Sequence, residues 1–307
     1  MQKFSESLKL MGNNFTLTVV AKDEPVAKSG INLAIAEIRR IEQLLTTFRD
    51  DSQTALINEN AGLRPVIVDD EVFGLIERSI AISGITQGAF DITYGSIDKS
   101  LWNFDKTMDK LPSPEEAQKM VHLIDYRNII LDKENSTVFL KEKGMRIGFG
   151  GIGKGYAAEM AKDKLRRAGF QSGIINASGD LTAWGAQPDG SPWGIGIANP
   201  EHPEKPFSYL SISEKAVATS GNYEKYVMIG GRKYSHTIDP KTGLPITGIK
   251  SVTVIAGNAE FADAMATPIA VMGIHAGLYM IDQIPGIECI VIDDSNKIYT
   301  SKNIKLT

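Results

Sequence analysis

The chain has 307 residues, of which 42% are hydrophobic and 23% charged, with a formal net charge of −4 and a pI near 5.7. This composition is typical of a globular protein with a sizeable core. The absence of a basic excess argues against nucleic acid or an anionic membrane surface as the main partner. The most apolar stretch, residues 268–281, is too short and too interrupted to form a transmembrane segment.

Apolar periodicity predicts the elements of the first half of the chain. It indicates a strand at 14–21, helices at 24–48 and 70–86, and strands at 128–133 and 137–143. Residues 100–126, which lie between the second helix and the last two strands, form an insert-like segment. Within it Ser113 and Glu116 form a capping box around a proline at the first helical position, which predicts the start of a short helix.

The second half of the chain begins with a helix and continues as short strands. The helix is predicted at 156–168, where Gly169 ends it. Apolar runs then predict strands at 172–178, 193–198, 208–212, 215–220, 225–229, 232–238 and 250–256, helices at 258–273 and 275–283, and strands at 287–293 and 297–301. Because strands and helices cluster separately, we expect an α+β fold with antiparallel sheets, in one domain over residues 1–307.

A glycine-rich loop, GFGGIGKG at residues 148–155, joins an apolar strand to the helix after it. It fits the dinucleotide pattern G-x-G-x-x-G, but the acidic residue expected about twenty positions later is late, since the first candidate is Asp180. It also resembles a P-loop around Lys154, but Gly155 stands where that motif needs Ser or Thr. The loop therefore indicates either a close backbone approach to an anion or metal, or tight packing against a neighbouring element.

Oxygen ligands for a metal are available from a distant helix. Asp263 and Thr267 are four residues apart in the predicted helix 258–273, so they share one helical face. Carboxylate and hydroxyl oxygens suit Mg²⁺. Pro268 has no N–H for the carbonyl of Ala264, so we expect a kink that leaves this carbonyl without its helical partner. The alternative is an ordinary helix whose Asp263 favours the positive N-terminal end.

Two further polar motifs follow strands. His236, on the predicted strand 232–238, precedes the turn DPKTG and has a side chain able to accept a proton near neutral pH. The motif NASGD places Asp180 at a strand end. Either motif alone is as compatible with a structural turn as with a functional site.

Taken in chain order, seven motifs resemble those of the ApbE family, the FAD:protein FMN transferases. They extend over about four-fifths of the chain: LLTTFRDDSQTALINENAG, GAFDITYGSI, GGIGKGYAAE, NASGD, VATSGNYEKY, SHTIDPKTGLPI and ADAMAT. The resemblance implies an α+β fold related to T-fold proteins. It also implies transfer of FMN from FAD to a Ser or Thr of an acceptor flavoprotein, with release of AMP and a requirement for Mg²⁺.

The resemblance assigns residues of this chain to roles. Asp263, Thr267 and Gly151 match metal-binding positions, and His236 matches a histidine implicated in catalysis. Either His236 or Asp263 could accept the proton of the acceptor hydroxyl, and the sequence does not choose between them. The positions implied to contact FAD are Met11, Phe48, Ala89, Phe90, Asp91, Gly148, Lys154, Asp180, Thr237 and Ile238. Two of these depart from the family pattern: Phe48 is often tyrosine, and Gly148 stands where many members have the aspartate of D-L-G-G-I-A-K-G.

Other functions remain open at this point. Water in place of the acceptor hydroxyl would give a Mg²⁺-dependent FAD pyrophosphatase that makes FMN and AMP. The Gly148 departure also allows a flavin-binding protein without turnover, and the G-x-G-x-x-G pattern allows a dehydrogenase. Without a recognisable leader we expect the chain as sequenced in the cytoplasm, or in the cell envelope, where family members usually work, if a leader has been removed.

Overall fold

The computed structural model describes residues 1–98, 108–197, 208–221 and 226–304. Seven α-helices lie in these ranges: α1 Glu24–Leu45, α2 Gln53–Glu59, α3 Asp70–Ile85, α4 Pro114–Met120, α5 Gly153–Arg167, α6 Ala259–Met272 and α7 Ile274–Ile281. Two 3₁₀ helices span Ile92–Ser96 and Tyr126–Asn128.

The strands are β1 Gln2–Leu10, β2 Asn13–Ala21, β3 Val66–Ile67, β4 Ile129–Asp132, β5 Thr137–Leu140, β6 Gly173–Ala177, β7 Asp180–Trp184, β8 Trp193–Ile197, β9 Ser208–Ile212, β10 Lys215–Gly221, β11 Tyr226–Ile229, β12 Arg232–Ser235, β13 Ile249–Ala256, β14 Glu288–Asp293 and β15 Ile298–Thr300. Eight of them form one sheet in the order β1-β2-β6-β7-β10-β13-β14-β15, and each neighbouring pair is antiparallel. The α+β fold with antiparallel sheets is therefore confirmed.

The central strands are buried on both faces because two different layers cover them. Alternate residues such as Ala216 and Ala218 join the main core with apolar side chains of α1, α5 and α6. The residue between them, Val217, joins a second cluster with Trp193 of β8 and Ile212 of β9. This alternation is what a strand with period 2 imposes when both faces are packed. It fixes α5 and α6 side by side on one face of the sheet.

Local signals explain where several helices begin. Asp23 caps α1 by accepting a hydrogen bond from the Val26 N–H at 3.0 Å. In α4 the predicted capping box is present: the Ser113 hydroxyl accepts from the Glu116 N–H, and the Glu116 carboxylate accepts from the Ser113 N–H. Because these caps satisfy N–H groups that have no partner inside the helix, they hold the first turns in place.

The structure differs from the predicted elements in several places. Strand β1 and helix α2 were not predicted. Helix α5 starts at Gly153, three residues before the predicted Tyr156. Strand β12 ends at Ser235, so His236 follows the strand and does not lie on it. Residues 100–107 of the insert-like segment, the last residue of the predicted strand 193–198 and the first of 225–229 lie outside the described ranges.

Helix α6 runs continuously through Pro268 from Ala259 to Met272. Within the part of the chain that the structure describes, no helix is both long and apolar enough to cross a membrane.

Candidate active site at the start of two helices

The glycine loop is held at its beginning by contacts from two other segments. Asn58 of α2 makes two hydrogen bonds to Ile147: its Oδ1 accepts from the backbone N–H at 2.7 Å, and its Nδ2 donates to the carbonyl at 3.0 Å. The Gly148 N–H donates to the Ile92 carbonyl at 2.9 Å. The loop then enters α5, where the Gly153 N–H donates to the Phe149 carbonyl at 2.7 Å. These bonds fix the backbone path that leads to Lys154.

Gly155 allows helices α5 and α6 to touch at backbone level. A Cβ atom at this position would lie 2.1 Å from the Ala259 carbonyl oxygen and 2.7 Å from the Asp263 Cβ. Both distances are shorter than van der Waals contact, so only glycine fits. The tight-packing interpretation of the glycine motif therefore holds for Gly155. The packing also brings Asp263 to the N-terminal end of α5, where the Gly155 N–H donates to Asp263 Oδ2 at 2.9 Å.

Three charged side chains meet at this junction. The Lys154 ammonium forms a short ion pair with Asp180 Oδ2 and lies 3.7 Å from Asp263 Oδ1. The other oxygen of Asp180, Oδ1, accepts from the Thr219 N–H of β10 at 3.2 Å. Asp180 and Asp263 are both buried. Segments that are far apart in the sequence therefore converge on Lys154.

The charges in this cluster do not balance, since two carboxylates face one ammonium. Burial, reinforced by repulsion from Asp180, raises the pKa of Asp263 to about 7, against the opposing effects of Lys154 and the Gly155 N–H. Burial by itself would lower the pKa of Lys154, but attraction to Asp263 and Asp180 outweighs it, and the net shift is upward. Lys154 is therefore held as a cation, whereas Asp263 takes up a proton near neutral pH unless a second cation stabilises its carboxylate.

The donors at this junction fit the chemistry of Mg²⁺, which proteins usually hold through one or two carboxylates together with water and substrate phosphates. Asp263 Oδ1 is the least engaged carboxylate oxygen, because its distance to Lys154 Nζ, 3.7 Å, exceeds that of a hydrogen bond. The Thr267 hydroxyl donates to Ser220 Oγ at a long 3.4 Å. In the described ranges no group of three or more His, Cys, Asp or Glu side chains is placed to hold a metal. An ion here would therefore also need backbone or ligand oxygens.

Several residues predicted to contact FAD lie beside the glycine loop. The Met11 Cε lies 3.8 Å from the position of a Cβ built on Gly153. Phe90 Cε2 lies 3.6 Å from a Cβ built on Gly151. Ala89 is buried next to Phe90. Met11 and Phe90 therefore lie beside the glycine loop.

Other predicted FAD contacts are placed differently. Phe48 is 95% exposed in the segment that follows α1. Both oxygens of Asp91 are used internally: Oδ1 accepts from the N–H and hydroxyl of Thr93, and Oδ2 accepts from the Tyr126 N–H. Burial raises the pKa of Asp91, although these hydrogen bonds oppose the shift. Asp91 thus shapes the start of the 3₁₀ helix. Gly148 has open space where a side chain would project, with nothing within 4 Å.

The segment that carries His236 packs against a different neighbour. The Ile238 N–H donates to the Tyr94 hydroxyl at 3.3 Å, and the Thr237 carbonyl accepts a hydrogen bond from the Ile246 N–H at 3.0 Å. The predicted turn is present, since the Gly243 N–H donates to the Asp239 carbonyl at 2.9 Å. His236 is half-buried directly before these anchored positions.

Sequence reasoning did not single out three residues that support the junction. Asn58 holds Ile147, Ser220 faces Thr267, and Glu159 of α5 accepts a hydrogen bond from the Ala259 N–H at 2.9 Å. All three lie inside motifs quoted in the sequence analysis, and this is the sequence feature that could have identified them. Their roles depend on partners more than 40 residues away in sequence.

Comparison with known proteins agrees with the motifs. The model of the ApbE family matches residues 11–291. The FAD:protein FMN transferase of Klebsiella pneumoniae (strain 342) is 31% identical over 305 residues, which cover 99% of this chain and 93% of that protein. The FAD:protein FMN transferase of Treponema pallidum (strain Nichols) is 29% identical over 323 residues, with coverage of 99% and 88%.

Solved structures give the same answer for the fold. The ApbE protein of Thermotoga maritima MSB8 superposes with a TM-score of 0.87 at 29% identity, covering 98% of this chain and 97% of the other. The apo form of the flavinyl transferase ApbE of Pseudomonas stutzeri gives a TM-score of 0.84 at 28% identity, with coverage of 98% and 96%. Since the family model spans most of the sequence and the fold agrees throughout, this chain belongs to the ApbE family.

Proposed function

We propose that this protein transfers FMN from FAD to a Ser or Thr hydroxyl of an acceptor protein and releases AMP, with Mg²⁺ as cofactor. The observation that carries the proposal is the buried junction at the start of α5, where Lys154 lies between Asp180 and Asp263 beside an open glycine loop. The names of the relatives support the same reaction. A junction with one cation for two carboxylates is suited to a divalent ion and a diphosphate.

The residues of the chain divide the work of binding FAD. Lys154 is placed to bind the negative diphosphate, at a helix N-terminus that carries partial positive charge. Met11 and Phe90 lie beside the loop. Asp263, Thr267 and a backbone oxygen near Gly151 would hold Mg²⁺. Bound there, Mg²⁺ would neutralise charge on the diphosphate oxygens.

The reaction itself requires alignment more than covalent chemistry by the protein. The acceptor oxygen forms a bond to the FMN-side phosphorus, the bond from that phosphorus to the bridging oxygen breaks, and AMP leaves with the bonding electrons. The acceptor hydroxyl loses its proton to a base. Asp263 and His236 are the two candidates, and a pH profile of each single variant distinguishes them, because only loss of the base removes the acidic limb.

The test is incubation of the protein with FAD, Mg²⁺ and a bacterial protein extract. We expect AMP to appear together with flavin fluorescence on a protein band in a denaturing gel, and mass spectrometry of that band to find FMN on a Ser or Thr. EDTA should abolish both signals.

Two results would contradict the proposal. AMP without covalent flavin on any protein would indicate the FAD pyrophosphatase. Bound FAD without AMP would indicate a flavin-binding protein that does not turn over.

A further inference from the structure

Helices α5 and α6 cap each other at their N-terminal ends. The Gly155 N–H of α5 donates to Asp263 of α6 at 2.9 Å, and the Ala259 N–H of α6 donates to Glu159 of α5 at 2.9 Å. Gly155 and Ala259 both lie in the first turn of their helices, where N–H groups have no partner within the helix. Each of these N–H groups is thus satisfied by a carboxylate of the other helix.

The spacing within the two helices makes this pair of bonds a fixed unit. Glu159 is four residues after Gly155, and Asp263 is four residues after Ala259, so each donor and carboxylate share a helical face. The missing side chain of Gly155 lets the two faces meet, since an added Cβ would lie 2.1 Å from the Ala259 oxygen. A shift of α6 along α5 would break both bonds together.

The second oxygen of each carboxylate faces a lysine. Glu159 Oε1 forms a short ion pair with Lys162 of the same helix, and Asp263 Oδ1 faces Lys154. Glu159 and Lys162 are both buried, with 6% exposure each. A buried charge needs a partner of opposite sign, and Lys162 supplies that partner where Glu159 meets the N-terminus of α6.

We propose that Glu159 is a positioning residue, which holds the start of α6 so that Asp263 stays aligned with Lys154 and the glycine loop. The effect of Glu159 on flavin transfer rests on the proposed function. Its effect on the position of Asp263 can be tested independently of that function. Asp263 protects the Gly155 N–H from hydrogen exchange only while the two are hydrogen-bonded.

The test compares two changes at the same position. Glu159→Asp keeps the charge but withdraws the oxygen from the Ala259 N–H. Glu159→Gln combined with Lys162→Met removes both buried charges but keeps an amide oxygen at full reach. Hydrogen exchange of the Gly155 and Ala259 amides is measured for each variant, with and without Mg²⁺, together with the Mg²⁺ concentration for half-maximal AMP release.

We expect Glu159→Asp to lose protection at both Gly155 and Ala259 and to need about 10- to 100-fold more Mg²⁺, the usual cost of losing support behind a metal ligand. The double variant should keep protection at Gly155, and its Mg²⁺ requirement should stay within about fivefold of that of the natural protein. Its amide oxygen still accepts the hydrogen bond from the Ala259 N–H, although more weakly than a carboxylate.

Glu260→Gln is the matched control, because it neutralises another carboxylate in the first turn of α6 that pairs with Arg78 instead. It should leave the Gly155 amide protected.

The proposal is overturned if Glu159→Asp exposes Ala259 alone while Gly155 stays protected, which would make Glu159 a simple helix cap. It is also overturned if the double variant loses as much protection of the Gly155 amide as Glu159→Asp does. The charge of residue 159, and not the reach of its oxygen, would then determine the position of α6. Normal exchange results in a protein that releases no AMP would instead contradict the proposed function and leave the positioning role supported.

Discussion

Two clusters of charged residues contact α5, and they differ in their balance. On the outer side, Glu71 accepts hydrogen bonds from Arg40 at 2.6 Å and from the Tyr156 hydroxyl at 2.6 Å. Arg78 lies over the Tyr156 ring and pairs with Glu260 at 2.6 Å. Arg40 also pairs with Glu37 at 2.6 Å, and Glu37 lies 4.0 Å from Lys164. Three carboxylates and three cations therefore neutralise each other there.

The junction at the start of α5 has the opposite arrangement. Two carboxylates, Asp180 and Asp263, share the single ammonium of Lys154. The hydrogen bond from Arg40 lowers the pKa of Glu71 against the effect of burial, whereas burial and Asp180 raise the pKa of Asp263. A balanced cluster holds elements together without any ligand. An unbalanced one has lower free energy once a cation binds, which is why we propose the junction as the metal site.

The largest expected effect comes from removing the excess charge. Asp263→Asn should lower flavin transfer on the order of 10³-fold, because the Mg²⁺ ligand is lost together with charge stabilisation at the diphosphate. The amide oxygen can still accept from the Gly155 N–H. Flavin fluorescence on the acceptor band and AMP release at saturating Mg²⁺ measure the loss.

The thermal midpoint supplies the control for this variant. Without metal, Asp263→Asn should melt no lower than the natural protein, since repulsion from Asp180 is removed. The natural protein should gain stability on adding Mg²⁺ and the variant should not. Full activity of Asp263→Asn in Mg²⁺ would contradict the assignment of the junction as the metal site.

A second change keeps the charges and displaces them. Gly155→Ala puts a Cβ 2.1 Å from the Ala259 oxygen, so α6 must move away. We expect a loss of about 1–3 kcal/mol in the free energy of unfolding, and about 10²-fold in activity, as for a misplacement of roughly 1 Å at a reacting group. Urea unfolding and AMP release measure the two effects.

Gly84→Ala in α3 is the matched control, because an added Cβ there has nothing within 4 Å. It should stabilise the protein by up to about 1 kcal/mol, the difference in helix propensity between the two residues. Equal behaviour of the two alanine variants would show that α5 and α6 are not in backbone contact.

A third change breaks the balanced cluster. Glu71→Gln should leave flavin transfer unchanged and lower stability by about 1 kcal/mol or less, as for a partly exposed ion pair. The pKa of Glu71 is lower in the folded protein than its ordinary 4.5. Its contribution is therefore complete above the ordinary value and disappears as the pH falls through the folded-state value.

Unfolding of the natural protein and of Glu71→Gln, measured from neutral to acidic pH, tests this sign. The difference between them should shrink on acidification. A difference that grows at low pH would mean that Arg40 does not stabilise the ionised carboxylate.

The comparison also shows what the sequence could and could not predict. The face shared by Asp263 and Thr267 follows from helical spacing alone. The early start of α5 does not, because glycines in a first turn disfavour a helix until α6 packs against Gly155. Strand β1 lies at the edge of the sheet as described and pairs with β2. Its inner face carries only Phe4, Leu8 and Leu10, with Glu6 between them, so the alternation is too sparse to predict a strand.

The charge balance was not predictable for a related reason. Lys154, Asp180 and Asp263 are far apart along the chain, and no local pattern states that they meet. The motifs named each of them through resemblance. Only the packing of α5 against α6 and the sheet shows that two of them compete for one ammonium.

The smallest expected effect comes from adding a further carboxylate to the glycine loop. Gly148 has a backbone conformation open to other residues and nothing within 4 Å of an added Cβ, so Gly148→Asp should fold normally. Family members with aspartate at this position suggest that it contacts the nucleotide. We therefore expect Gly148→Asp to bind FAD about 2- to 10-fold more tightly, the contribution of one added hydrogen bond, as measured by titration of flavin fluorescence.

Gly148→Asn has the same shape without the charge, and its affinity for FAD should increase less. Weaker FAD binding by both variants would mean that the space at Gly148 belongs to the flavin itself, and the departure from the family pattern would then be an adaptation of the pocket to its ligand.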